Sequence, residues 1–255
     1  GEKFACSTLL TEEVLKTVAS CNDLAPLHNP PTLVGVAACK ELLPTTPMVG
    51  VFDTAFHQTM PEKAFLYGIP RKYYDEDGIR RYGFHGTSHQ FVSLETAKVL
   101  GKDIKDLKII VCHLGNGASV TAVKGGESVD TSMGLTPLEG LIMGTRSGDV
   151  DPSVMPYLCK KLNKTADEVL EIYNKKSGML GISGISSDSR DIENALFNEG
   201  NERALLTGLL YARIVSKYIG QYYAELGGCD AICFTAGVGE NAAYLRRLII
   251  DNVSR

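Results

Sequence analysis

Residues 109–123, IIVCHLGNGASVTAV, place an apolar run on each side of a turn that contains two glycines. Ile109 to Val111 predict one β-strand, and Val120 to Val123 alternate like the inward face of a second, so the pair predicts a hairpin. Such a turn could close with fewer residues. Its glycines and asparagine therefore predict backbone at positive φ, with N–H groups directed at one point, an arrangement that attracts phosphate. A turn that binds nothing is the alternative.

A second glycine turn follows another apolar strand, in FTAGVGEN at residues 234–241. Gly237 and Gly239 lie between the predicted strand and the start of a helix, where N–H groups and the helix dipole favour a phosphate or leave room for a base. A tight strand-to-helix connection is the alternative. Two such turns in one chain suggest a nucleotide that is held from two sides.

Three side chains could carry chemistry. Asp53 follows the apolar run MVGVF, where ligands of open α/β sheets gather, although a solvated turn or a helix cap would also explain it. His85 lies between Phe84 and Gly86, where a structural role is the alternative. Arg146 lies in a loop of small residues that leaves its guanidinium free for phosphate or carboxylate. A surface salt bridge to Asp149 or Asp151 is the alternative. Together these groups supply the parts that phosphoryl transfer needs.

The hydrophobic periodicity alternates between strands and helices, and the central hairpin is antiparallel. This combination predicts a mixed α/β sheet instead of a purely parallel one. Thr87 or Ser88 is expected to cap the helix that carries His89. The longest predicted helix has an apolar stripe, whose members are Leu205, Leu209, Val215, Ile219 and Tyr222. The predicted helices are 11–20, 34–43, 88–100, two pieces within 151–177, and 202–226; the predicted strands include 48–53 and a third meander strand within 125–132.

Composition excludes several classes of function. The net charge is −4 with no strongly basic segment, so no nucleic-acid partner is predicted. No apolar run approaches the ~20 residues that span a bilayer, and no signal peptide is visible, so a cytoplasmic protein without a membrane partner is expected. Seven cysteines without CxxC spacing predict reduced, buried thiols, with Cys39, Cys112 and Cys233 in apolar stretches. His85 and His89 fit a polar network better than a metal site.

Six motifs together resemble the acetate kinase family over essentially the whole chain: VFDTAFHQTMP, YGFHGTSH, CHLGNGAS, DTSMGLTPLEGLIMGTRSGDVDP, SGISSDSRDIE and FTAGVGENAAYLR. The resemblance implies the ribonuclease-H-like α/β fold of the actin, sugar-kinase and heat-shock ATPase superfamily. It also implies reversible transfer of the γ-phosphoryl group of ATP to acetate, with ATP/ADP, Mg²⁺ and a homodimer. Residues 1–100 would then belong to the acyl-substrate domain, and residues 101–255 to the nucleotide-binding domain. Propionate kinases share much of the pattern, so another short-chain carboxylate is the alternative substrate.

The resemblance also implies roles for individual residues. Asp53 would be the essential acid near Mg²⁺ or the reacting groups, and His85 and Arg146 would stabilise the transferring phosphoryl group. The remaining implied contacts are His113, Leu114, Gly115, Asn116 and Gly117 for phosphates; Asp188, Ser189 and Arg190 for the nucleoside; Gly237, Val238, Gly239, Glu240 and Asn241 for the base and ribose; and Leu27, Phe84 and Pro137 for the acyl methyl group.

The chain begins Gly-Glu-Lys and ends within a predicted helix. The resemblance implies that an amino-terminal phosphate strand, a substrate-binding arginine and a carboxy-terminal glutamate that helps to bind Mg²⁺ lie outside these residues. A fragment of a longer enzyme is therefore expected, and a nucleotide-binding fragment without catalytic competence is a further alternative.

Overall fold

The computed structural model describes residues 2–22 and 29–254. The first hundred residues contain short elements: strand β1 (Thr8–Leu9), helices α1 (Glu12–Ala19) and α2 (Asn29–Leu42), strand β2 (Val49–Gly50), a 3-10 helix (Ala55–Thr59), and helices α3 (Glu62–Phe65), α4 (Lys72–Asp77) and α5 (Gly86–Leu100). Strands β1 and β2 pair with each other in antiparallel orientation. Neither α1 nor α2 contains a buried residue within the described ranges.

The apolar run before Asp53 does not form the buried central strand that its composition predicts. Only Val49 and Gly50 pair as a strand, and Val51 is 63% exposed. A strand becomes buried when it has neighbours on both edges and covered faces. In the described part of the chain this segment has one neighbour, the two-residue β1, so the prediction for residues 48–53 is wrong.

A four-stranded mixed sheet forms the centre of the fold, as predicted. Its strand order is β5-β4-β3-β6, and β3 is antiparallel to β4 but parallel to β6. The predicted hairpin and the third meander strand are confirmed. The strands are β3 (Lys108–Leu114), β4 (Ala118–Lys124) and β5 (Glu127–Thr131), followed much later by β6 (Ala231–Thr235).

Helices cover both faces of this sheet. Those after β5 are α6 (Val154–Leu162), α7 (Ala166–Lys175), α8 (Gly178–Ser183), α9 (Ser189–Glu199), α10 (Glu202–Leu226), α11 (Ala236–Asn241) and α12 (Ala243–Val253). Alternate β3 side chains face opposite layers: Ile110 packs with Tyr211 of α10, whereas Val111 packs with Ala97 of α5. Strand β3 is therefore buried on both faces, between α5 and α10.

The buried stripe of α10 differs from the predicted one. Val215, Ile219 and Tyr222 are buried, but Leu205 and Leu209 are each 45% exposed. Their places near the start of the helix are taken by smaller residues. A Cβ added to Gly208 would lie 3.4 Å from the Tyr244 ring of α12, so close helix packing selects a small residue there.

All seven cysteines are free thiols, as expected. Cys112 is buried in β3, but Cys39 is exposed on α2, a helix without a buried residue in the described ranges. The prediction of burial is therefore wrong for Cys39 and for Cys6, which is also exposed, and the other four thiols are only partly buried. No helix in the described ranges is long and apolar enough to cross a membrane.

Residues buried in the central strand β3 should contribute most to the free energy of unfolding. Ile110 is fully buried in β3, whereas Ile69 is 50% exposed in a loop. Ile110→Ala should lower the free energy of unfolding by about 2–5 kcal/mol, since it removes buried methyl groups and leaves a cavity. The matched Ile69→Ala change should cost less than about 0.5 kcal/mol. Urea denaturation of both variants measures this, and equal losses would contradict the assignment of the core.

Candidate active site

Three predicted side chains meet at one cavity. Asp53, His85 and Arg146 line a cavity of about 480 Å³, although they come from three separate segments of the chain. Phe84 and Pro137, the predicted acyl-pocket residues, line the same cavity. Polar groups and an apolar wall are thus combined in one concave site, the usual form of a small-molecule site.

Leu27, the third predicted acyl-pocket residue, lies outside the described residues. The apolar wall contains side chains that the sequence did not single out, among them Leu135, Val36 and Val18. The last two come from α2 and α1, so these helices supply part of the wall.

Asp53 fixes the start of α5. Its carboxylate oxygen Oδ2 accepts a hydrogen bond of 2.8 Å from the backbone N–H of His85, and its carbonyl accepts one of 2.9 Å from Gly86. His85 is the N-cap residue with φ +57°, and no capping bond from Thr87 or Ser88 is present, so that prediction is wrong. The position after His85 requires glycine, because an added Cβ would lie 2.4 Å from the Asp53 carbonyl.

The His85 imidazole is held on two sides. Its Nδ1 lies 2.8 Å from Ser119 Oγ, and its ring stacks on His113 with the centroids 4.0 Å apart. Burial, with further contributions from His113 and Arg146, lowers the pKa of His85 to about 3. The imidazole is therefore neutral at pH 7, and it can act there as a hydrogen-bond donor or acceptor but not as a cation.

Four histidines form one cluster. His57 and His89 are fully buried, and burial lowers the pKa of His57 to about 4 and that of His89 well below its usual value. Burial also lowers the pKa of His113, although Asp53 opposes it. The prediction of a polar network at His85 and His89 is confirmed by the contacts of both rings with Ser119 Oγ. Separately, the described residues contain no group of three or more His, Cys, Asp or Glu that could hold a metal ion.

Arg146 brings an uncompensated charge to the cavity. Its guanidinium Nη1 donates a 2.7 Å hydrogen bond to the Pro137 carbonyl, and burial lowers its pKa. No ion pair joins Arg146 to a carboxylate within the described ranges. Asp149 instead accepts hydrogen bonds from Gly140 and Tyr218, so the alternative of a salt bridge to this aspartate is wrong.

Asp151, the other candidate partner of Arg146, accepts a 2.8 Å hydrogen bond from the backbone N–H of Ser153. It forms no ion pair among the residues that the structure describes. The Arg146 guanidinium is consequently available to an anion.

The glycines in the turn between β3 and β4 provide close approach of the backbone instead of positive φ. Neither Gly115 nor Gly117 has positive φ, so that prediction is wrong. A Cβ added to Gly117 would lie 3.3 Å from Arg146 Nη2 and 3.4 Å from His85 Nε2, so the backbone approaches both groups closely. The N–H groups of Asn116 and Gly117 donate no hydrogen bond to the described part of the chain and remain available to a ligand.

The second glycine turn lies beside the first. Strands β3 and β6 are parallel neighbours, with His113 opposite Thr235, so the segments that follow them emerge at one edge of the sheet. A Cβ added to Gly115 would lie 3.6 Å from the Cβ of Ala236, which has φ +65°. A Cβ at Gly237 would meet no atom within 4 Å, which leaves open space at this position.

Asp188, Ser189 and Arg190 begin α9 and do not line the cavity of Asp53. The Asp188 carboxylate accepts hydrogen bonds from the backbone and guanidinium of Arg190, and these hydrogen bonds lower its pKa to about 2. The segment borders the first glycine turn, because a Cβ added to Gly144 would lie 2.0 Å from Asn116 Oδ1 and 3.0 Å from the Ser187 carbonyl.

Sequence reasoning missed the hydroxyls that hold the imidazoles. Ser119 lies between His85 and His89, and Ser88 Oγ lies 2.8 Å from His113 Nδ1. One signal was available: hairpin pairing places Ser119 directly opposite His113, and both flank the predicted turn. Their contacts with α5 depend on how that helix packs on the sheet.

Comparisons with known proteins agree over the whole chain. The model of the Acetokinase family matches residues 1–255. The curated acetate kinase of Agathobacter rectalis is 61% identical over 250 residues, which cover 98% of this chain and 63% of the relative. That of Caldanaerobacter subterraneus subsp. tengcongensis is 59% identical over 253 residues, covering 99% and 63%. The chain therefore spans about 63% of the length of these relatives.

Solved structures agree with the fold described above. The crystal structure of an acetate kinase from Porphyromonas gingivalis is 51% identical with a TM-score of 0.93, covering 98% of this chain and 62% of that one. A propionate kinase from Francisella tularensis subsp. tularensis SCHU S4 is 44% identical with a TM-score of 0.95, covering 100% and 65%. The mixed α/β fold is thus the one found in acetate and propionate kinases.

The buried histidines should make stability depend on pH. The pKa of His57 is about 4 in the folded chain and near 6.5 in the unfolded chain. Between pH 4 and pH 6.5, the unfolded chain therefore binds a proton at His57 that the folded chain does not. The stability that neutral His57 provides is complete above pH 6.5 and is lost as the pH falls toward 4. Between pH 7 and pH 5, the free energy of unfolding of the wild type should fall by about 2 kcal/mol more than that of His57→Gln. Urea denaturation at both pH values tests this, and parallel falls would refute it.

Proposed function

The chain belongs to the acetokinase family, and from this membership we propose that its protein transfers the γ-phosphoryl group of ATP reversibly to acetate, giving acetyl phosphate and ADP. The observation that carries the proposal is the approach of the Arg146 guanidinium and His85 Nε2 to the backbone of Gly117. A cation, a neutral imidazole and free backbone N–H groups surround one point next to a small apolar wall. These are the groups that phosphoryl transfer to a small carboxylate needs.

The proposed reaction has a direct step between two anions. Acetate, with a pKa near ~4, is already ionised at neutral pH and needs no strong general base. The protein must therefore overcome charge repulsion and hold the carboxylate oxygen in line with the phosphorus. Arg146 would neutralise charge on the transferring phosphoryl oxygens, and a neutral His85 would offer them a hydrogen bond.

Asp53 would hold Mg²⁺ in this proposal. One oxygen of its exposed carboxylate accepts a hydrogen bond from the backbone of His85, and the other has no partner among the described residues. Mg²⁺ binds oxygen ligands, commonly one or two carboxylates together with substrate phosphates and water. The free carboxylate oxygen of Asp53 fits this coordination preference. When bound with the nucleotide, the ion would neutralise charge on the phosphates.

The nucleotide would lie along the edge of the sheet where the two glycine turns meet. Residues 113–117 would contact phosphates, and residues 237–241 the base and ribose, where Gly237 leaves open space. Residues 188–190 would contact the nucleoside, and the proximity of Ser187 to the first turn supports this. Residues 1–100 would then form the acyl-substrate part and residues 101–255 the nucleotide part.

The acyl group would occupy the apolar wall beside Arg146, with Phe84 and Pro137 next to its methyl group. Acetate is the substrate proposed, because the acetate kinase relatives named above are about 60% identical. Propionate remains the second candidate, since a propionate kinase shares the fold at 44% identity. A cytoplasmic homodimer that supplies acetyl phosphate for acetyl-CoA synthesis completes the proposal.

Removal of the charge at Arg146 tests the proposed reaction. In the full-length protein, Arg146→Ala should lower kcat for acetyl phosphate formation by about 10²-fold or more, since a charged contact to the transition state is lost. Arg247→Ala, which removes an exposed arginine paired with Asp251, is the matched control and should leave kcat unchanged. Hydroxamate detection of acetyl phosphate measures both variants. Normal turnover by Arg146→Ala would refute the role, and no product from the wild type would refute the reaction.

The choice of acyl substrate is a separate prediction. Acetate should be preferred to propionate only modestly, because one methylene in an apolar pocket is worth about 1–3 kcal/mol. The ratio of kcat/KM for the two acids measures this difference. A higher kcat/KM for propionate would assign the protein to the propionate kinases.

A further inference from the structure

Ser119 lies between two imidazoles and cannot serve both in the same way. Its Oγ is 2.8 Å from His85 Nδ1 and 2.7 Å from His89 Nε2. The serine is fully buried, so water does not compete for either contact. A hydroxyl has one proton to donate and lone pairs to accept. In the described part of the chain no acceptor other than these two ring nitrogens bonds to Ser119 Oγ, so the hydroxyl donates to one imidazole and accepts from the other.

The environment of His89 decides the direction. This residue is fully buried, and its Nδ1 has no hydrogen-bond partner in the described part of the chain. A proton on Nδ1 would be a buried donor without an acceptor, and such orphaned donors are rare in folded proteins. The proton of neutral His89 is accordingly on Nε2, where Ser119 Oγ accepts it.

This direction fixes the state of His85. Since Ser119 accepts from His89, its own hydroxyl proton is donated to Nδ1 of His85. An imidazole that accepts at Nδ1 has no proton on that atom, so its single proton is on Nε2. That atom faces the proposed reaction centre, because Nε2 of His85 approaches Gly117 on the side where Arg146 also lies.

We propose that Ser119 and His89 are positioning residues that hold neutral His85 in the tautomer with its proton on Nε2, so that it donates a hydrogen bond to a bound anion beside Arg146. This inference rests on the proposed function for the identity of the anion, a phosphoryl group. The relay itself is a property of the folded chain. In the opposite tautomer a lone pair on Nε2 would face the phosphoryl oxygens and repel them.

A neighbouring histidine has a parallel arrangement that can serve as an internal reference. His57 Nε2 lies 2.9 Å from the Phe84 carbonyl, which can only accept, so its proton is on Nε2. Its Nδ1 therefore accepts from Ser128, whose Oγ is 2.9 Å away. Ser128 thus forms a buried serine–histidine bond similar to that of Ser119, but with a histidine that does not line the cavity.

The first test needs no substitution. NMR of the full-length protein labelled with ¹⁵N-histidine distinguishes a protonated ring nitrogen from a bare one. Both His85 and His89 should show protonated Nε2 and bare Nδ1. A proton on Nδ1 of either residue would overturn the relay, whether or not the protein makes acetyl phosphate. Failure of the proposed function is thereby distinguished from failure of this inference.

The second test compares two substitutions of similar size. His89→Leu removes the donor and lets Ser119 donate to His85 or accept from it, so a population with the proton on Nδ1 should appear. kcat should fall about 10- to 100-fold while KM for ATP changes by less than about twofold. His89→Gln supplies an amide N–H in place of the imidazole, and it should restore most of kcat and a single tautomer.

The control is Ser128→Ala, which removes the hydroxyl that bonds His57 and should leave the His85 tautomer unchanged. If His89→Leu and His89→Gln have the same kcat and the same His85 spectrum, His89 is only a packing residue and the proposal fails. A change of the His85 tautomer in Ser128→Ala would also overturn it, because the effect would then not be specific to Ser119.

Discussion

The antiparallel register of β3 and β4 determines where the site forms. It places His113 opposite Ser119 at the end of the hairpin, directly before the turn that contains Gly117. Helix α5 packs on one face of β3 and buries it. This packing also brings His85 and His89 to Ser119. The same strand is parallel to β6, so the second glycine turn emerges beside the first. A slip of β4 by one residue would turn its side chains, Ser119 among them, to the opposite face of the sheet.

Close approach, more than charge, organises the centre of the site. The Gly117 backbone fits between His85 and Arg146, and the four clustered histidines remain neutral because burial lowers their pKa values. The four imidazoles therefore carry no positive charge, and the charge beside Gly117 is that of Arg146. A neutral donor costs less to bury than a charged one, and it keeps its direction through a hydrogen bond to its other nitrogen.

Local sequence patterns correctly predicted those features of the fold that depend on residues close together in the chain. Alternation around residues 109–123 gave the hairpin correctly, and the meeting of Asp53, His85 and Arg146 at one cavity agrees with the resemblance to a kinase family. Contacts from distant segments were beyond the same reasoning. The close contacts of Gly117 are made by side chains of two other segments, and the exposure of Val51 comes from the lack of a second strand neighbour in the described ranges.

Asp53 belongs to a part of the chain that is packed much less tightly than the groups it works with. Helices α1 and α2 bury none of their described residues, whereas His89, Ser119 and the strands beneath them are fully buried. The carboxylate and the carbonyl of Asp53 both accept hydrogen bonds from the backbone at the start of α5, so the two parts are joined at His85 and Gly86. A change that moves the start of α5 would consequently move Asp53 together with the His85 imidazole, and the two groups would shift as one unit relative to Arg146.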